Sequence, residues 1–105
     1  MKLIDYLIKN KSDGRYPMIA RIKCTDGFNL SVQCNSANYC SPREDHSSYY
    51  SLVEVGFPSA PPTKFLNYAE DQENPTGTVY GYVPIELVAD EINSHGGIVD
   101  VGLVE

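Results

Sequence analysis

Between Met18 and Cys34, apolar and polar side chains alternate on both sides of Thr25-Asp26-Gly27, and no other pattern constrains the chain as much. Met18, Ala20, Ile22 and Cys24 alternate with Ile19, Arg21 and Lys23, while Phe28, Leu30, Val32 and Cys34 alternate with Asn29, Ser31 and Gln33. A period of two marks half-buried strands, so residues 18–34 read as a β-hairpin. Cross-strand neighbours share a face. A two-residue Asp26-Gly27 loop would set Ile22 against Ser31 and Lys23 against Leu30, mixing apolar with polar at every rung. A three-residue loop instead pairs Cys24 with Phe28, Ile22 with Leu30, Ala20 with Val32 and Met18 with Cys34, with Gly27 at the left-handed position of a bulged turn. That register is the expectation. It leaves Cys24 and Cys34 on the order of 15–20 Å apart, too far to bridge.

The other elements follow the same reasoning. Leu3, Ile4, Leu7 and Ile8 at helical spacing predict a short amphipathic helix over 2–10, ended near Asp13-Gly14. The run 35–48 has no apolar periodicity and reads as a long polar loop ending at Tyr49-Tyr50. Residues 51–57 alternate again and predict a third strand, stopped by Pro58. Residues 58–77, with Pro58, Pro61, Pro62 and Pro75, read as surface connection with one short helical turn at Phe65, Leu66 and Tyr68. A fourth strand over 78–83 would place Tyr80 and Tyr82 on one face. Pro84 then opens a helix over 84–95, in which Ile85, Val88, Ala89 and Ile92 form the apolar stripe, His95 lies in the last turn and Gly96 follows the end. Residues 98–104 predict a fifth strand, parallel to the fourth if the helix is a right-handed crossover. The fold class is α+β: one domain over 1–105, with a mainly antiparallel sheet of about five strands, a short N-terminal helix and a C-terminal helix packed on the sheet.

Charge is distributed unevenly. Six of the eight Lys and Arg precede residue 24, against Asp5 and Asp13, so the first 23 residues carry +4 and the remainder −10 of the net −6. Such a surface repels nucleic acid and favours a basic partner. No stretch is long and apolar enough to cross a bilayer, and Asp5 interrupts any signal-peptide core, so the expected location is the cytoplasm, without membrane association. Three cysteines fit reduced thiols better than a disulfide framework, and Cys40, in the polar loop, is expected to be the most reactive.

Motifs for catalysis and cofactors are absent: there is no GxGxxG, Walker loop, HExxH, GxSxG or CxxC. A Cys40–His46 nucleophile pair and a zinc site from Cys34, Cys40, His46 and a carboxylate are conceivable, but spacing alone gives neither an orienting third group nor paired ligands. No cofactor is expected, and the chain reads as a binding protein and not as an enzyme. The binding candidates are Tyr39, Arg43, His46, Tyr49 and Tyr50 around the long loop, since Tyr and Arg dominate interface hot spots, and Glu86, Asp90 and Glu91 on the exposed side of the C-terminal helix.

Tyr39-Cys-Ser-Pro-Arg43, Val53-Glu-Val-Gly-Phe-Pro-Ser59 and Tyr80-Gly-Tyr-Val-Pro84, followed by Leu87-Val88 and His95-Gly-Gly-Ile98, resemble a family of small acidic bacteriophage and prophage proteins of unassigned role. The resemblance spans residues 18–98. It implies a setting in a host cell, where such proteins bind and block host factors, CRISPR effectors and other defence enzymes among them. The leading expectation is therefore an inhibitor, anti-CRISPR-like in style, that occupies a basic surface on a host defence or nucleic-acid-handling enzyme. The alternative is a binder or sponge for an anionic, nucleotide-like ligand held by the 39–50 loop. Self-association as a homodimer stays open.

Overall fold

The computed structural model describes residues 2–99. Helix α1 (Leu3–Lys9) precedes four strands, β1 (Ile22–Lys23), β2 (Asn29–Gln33), β3 (Leu52–Gly56) and β4 (Val79–Pro84), and helix α2 (Ile85–Ser94) follows them. A 3-10 turn over Leu66–Tyr68 lies where one was expected. The strands form one antiparallel sheet in the order β1-β2-β3-β4, so the architecture is α+β.

The hairpin tip has the expected register: Ile22 faces Leu30, Lys23 faces Asn29, and the Cys24 N–H donates to the Phe28 carbonyl at 2.7 Å. Gly27 has φ +95°, a conformation costly for any residue with a Cβ. Further from the tip the expected pairing fails. Ala20 and Met18 do not pair with Val32 and Cys34; Met18 is 56% exposed and Ile19 is buried instead. The cause is Gln33, whose amide accepts from the Ile19 N–H (3.0 Å) and donates to the Ile19 carbonyl (2.7 Å), occupying the groups a strand ladder would use.

In α1 the inward face is Leu3, Tyr6 and Leu7, while Ile8 stays at the surface. β3 buries Val53 and Val55. The expectation that Tyr80 and Tyr82 share a face is overturned by a bulge: Val53 opposes Val83 but Val55 opposes Tyr80, so β4 carries one extra residue. Tyr80 points into the core, edge-to-face with Phe65 at 5.3 Å, and Tyr82 is turned outward at φ +52°.

Helix α2 buries Val88 and Ile92 and half-buries Ile85 and Ala89. Pro84 is its N-cap, one position before the expected one. The helix ends with Gly96 N–H donating to Asn93 O and Gly97 N–H to Ile92 O, both at about the 3.0 Å of a normal bond. Gly96 has φ +88°, and a Cβ there would lie 1.8 Å from Thr25 Oγ1, so the hairpin tip packs directly on the helix end. The chain then pairs Ile98 antiparallel with Cys24, beside β1. A parallel neighbour for β4 is thereby ruled out for Ile98. The outer edge of β4 is already taken by Ala69, bridged to Tyr80, and by Glu70, whose N–H donates to Val79 O at 3.0 Å. Residues 100–104 of the expected fifth strand lie outside the described residues. Among the described residues, no helix is long and apolar enough to cross a membrane.

Candidate functional site

Three chain segments meet at one end of the sheet. Ser41 N–H donates to Leu52 O (3.0 Å), Ser51 N–H donates to Ser41 O (2.9 Å), Leu52 faces Pro84, and Ile85 N–H donates to Ser51 O (3.0 Å). Residues 39–43, 49–52 and 82–86 are thus held together, and with them Tyr39, Arg43, Tyr49 and Glu86 of the expected site.

The 35–50 loop owes its shape to a residue far from it in sequence. The Lys11 ammonium donates to Cys34 O, to Asp45 O (2.6 Å) and to Tyr50 Oη (2.6 Å). Tyr50 was expected at the binding surface. It is fully buried, its hydroxyl donating to Glu44 O at 2.6 Å and accepting from Ser47 N–H at 3.1 Å. The Asp45 carboxylate accepts from the hydroxyl and backbone N–H of Ser36, and these bonds lower its pKa. His46 Nε2 donates to Gly14 O at 2.8 Å, away from the other candidates.

Cys40 also departs from expectation. It is buried, its thiol donates to Asn35 O and Pro42 O, and burial raises its pKa, so it is no exposed nucleophile. Burial likewise pushes Cys24 and Cys34 up to about 11. Among the described residues, no group of three or more His, Cys, Asp and Glu is arranged to hold a metal ion.

On one side of the junction is an aromatic platform. Glu54 anchors it, accepting from Asn38 Nδ2 (3.2 Å) and from the Tyr39 N–H (3.0 Å). The Tyr39 carbonyl accepts from the Tyr82 N–H (3.0 Å), the two rings lie 5.7 Å apart at 36°, and the Arg43 guanidinium is 5.9 Å from the Tyr39 centroid. Tyr82 was missed because strict alternation hides a bulge. Tyr16, Phe57 and Tyr82 are the non-glycine residues with positive φ among those described, and all three are aromatic and exposed. Such a conformation is strained for a bulky residue.

Close to the same junction a groove of about 210 Å³ between α1 and α2 is lined by Leu3, Ile4, Tyr49, Ile85, Glu86 and Ala89. Lys2 and Asn93 complete its rim. The groove joins two expectations made separately, the loop tyrosine Tyr49 and the helix carboxylate Glu86.

The acidic residues of α2 have different environments. Glu86 and Asp90 are exposed, but Glu91, expected beside them, is 1% exposed. Its Oε1 accepts from the backbone N–H groups of Thr63 (2.9 Å) and Lys64 (2.8 Å), and its Oε2 accepts from His95 Nε2 (3.0 Å). Nδ1 of the same imidazole donates to Asp26 at 2.6 Å, and the ring stacks on Phe28 at 3.9 Å. Burial alone would lower the His95 pKa, but the two carboxylates outweigh it and raise it. Asp26 is lowered, first by the Phe28 N–H and then by His95.

Among the described residues, these His95 contacts are the only ion pairs, and no lysine or arginine lies within 4.0 Å of a carboxylate. Lys11 is spent on carbonyls and a hydroxyl, Arg21 on Asn29 and the Phe57 carbonyl, and Arg15 and Arg43 lie over Tyr16 and Tyr39. Glu70, Asp71, Glu73, Glu86 and Asp90 stand exposed, with no cationic partner among the described residues.

Comparison of the chain with protein-family models, with curated proteins and with solved structures finds no match.

Proposed function

We propose that this chain is a non-catalytic binding protein that docks on a basic surface of a partner protein. The observation that carries the reading is the separation of charges: Lys11, Arg15, Arg21 and Arg43 engage carbonyls, an amide and rings, while Glu70, Asp71, Glu73, Glu86 and Asp90 are exposed with no described lysine or arginine within 4.0 Å. Such a surface projects a field that speeds encounter with a basic partner and repels nucleic acid. The junction of 39–43, 49–52 and 82–86 adds exposed Tyr39, Tyr49, Tyr82 and Arg43, the residue types that anchor interfaces.

The resemblance to small phage proteins supplies the setting. In it the partner is a cytoplasmic host defence or nucleic-acid-handling enzyme, blocked when its basic surface is occupied. The rival reading, an anionic ligand in the 39–50 loop, loses Tyr50 to the core and His46 to the Gly14 carbonyl.

The test is affinity capture from host lysate, with elution by salt and identification of what elutes. A basic protein released between low and physiological ionic strength is expected. Recovery of a neutral or acidic protein that salt does not release, or a nucleotide freed from the purified chain on denaturation, would overturn the proposal.

A further inference from the structure

Three of the eight tyrosines carry a cation of the described residues over the ring. Lys11 lies over Tyr50, Arg15 over Tyr16 and Arg43 over Tyr39, each within 6 Å of the ring centre. Tyr49 is 57% exposed, and among the described residues no cation lies over it. It lines the α1–α2 groove together with aliphatic side chains and with Glu86, whose carboxylate has no lysine or arginine within 4.0 Å among the described residues.

An apolar wall, an open aromatic face and a bare carboxylate together suit a side chain with a long methylene stem and a cationic head. A leucine or phenylalanine would fill the walls but desolvate Glu86 without return. An acidic side chain would be repelled. Between the two basic residues, the planar guanidinium both stacks on a ring and meets a carboxylate with two parallel N–H donors, which an ammonium does not do. We infer that this groove receives an arginine side chain of the basic partner, its stem against Ile4, Ile85 and Ala89 and its guanidinium between Tyr49 and Glu86. The inference rests on the proposed function and names the contact through which a basic surface is gripped. Lys2, exposed, also lines the groove.

The test needs no partner. The full chain, with methyl and aromatic groups observed by NMR, is titrated with N-acetyl-arginine amide, with N-acetyl-norleucine amide and with hexa-arginine. Arginine amide is expected to shift Tyr49, Ile4, Ile85 and Ala89 saturably, more than norleucine amide does, and Tyr49→Ala and Glu86→Gln are each expected to weaken this by about threefold while keeping the folded spectrum. Equal shifts from norleucine amide would overturn the inference by showing a merely apolar groove. Hexa-arginine that binds and shifts only residues outside the groove would overturn the inference and leave the charge-based proposal standing. Hexa-arginine that does not bind at low salt would remove both.

Discussion

Two polar hubs of opposite sign hold the loops of this protein, and they differ in what they are made from. At one, the Lys11 ammonium gathers neutral acceptors, Cys34 O, Asp45 O and Tyr50 Oη, and so folds the 35–50 loop onto the sheet. At the other, the buried Glu91 carboxylate gathers backbone donors of Thr63 and Lys64, and His95 links it to Asp26 at the hairpin tip. The first hub lies partly open to water, and the second is closed around its carboxylate. Sealing should make the Glu91 hub the more costly to break, and its imidazole should make it the one that responds to pH.

The largest effect is expected from Glu91→Ala. It leaves two backbone donors and an imidazole without their acceptor inside the protein, a loss of about 3 kcal/mol. Chemical denaturation measures it; a loss under about 1 kcal/mol would mean that the pocket floods and the hub is not sealed. Lys11→Met should cost less, about 1.5–2 kcal/mol, because water can reach the freed carbonyls. Its signature is local: amide exchange should accelerate through residues 35–50 and stay slow in α2. Uniform acceleration would show that the two hubs are one cooperative unit.

How far these hubs were legible in the sequence depends on range. The register of Ile22 on Leu30 and the turn at Gly27 follow from a period of two over neighbouring residues, and the C-terminal helix follows from its own stripe and Gly96. Adjacent residues with opposite fates do not. Tyr49 is outside and Tyr50 inside because Lys11, far away in sequence, offers the hydroxyl a partner. Glu91 is inside because Thr63 and Lys64 bring unpaired N–H groups to it. One local sign was available: Glu91 falls three residues after Val88 and four before His95, on the flank of the apolar stripe. Tyr82 escaped because a bulge adds a residue without any mark in the alternation.

Smaller effects come from titration, which should separate the hubs. The His95 pKa is raised on folding, so the stability it contributes is complete below about pH 6.5 and is lost as pH rises through the higher folded value. Asp26 is lowered, so its share is present above about pH 3.9 and is lost as acid is added through its folded pKa. Melting temperatures compared at about pH 5.5 and about pH 7.5, below the range in which the buried thiols add a dependence of their own, should fall on the alkaline side for the wild type and for Lys11→Met, and should converge in His95→Gln. A slope that survives in His95→Gln would assign the dependence to another group.

The smallest stability change belongs to the outer face of the same helix. Glu86→Gln with Asp90→Asn should move the melt by less than about 1 kcal/mol, since exposed charges contribute little. That pair also tests the central claim most directly, that the bare carboxylates exist to meet a basic partner. Titrated against the captured protein at low and at physiological salt, the double variant should bind more weakly than the wild type and lose much of the salt dependence. Unchanged affinity and salt dependence in this variant, with binding lost instead in Tyr49→Ala combined with Arg43→Ala, would contradict the claim and put the recognition in the loop.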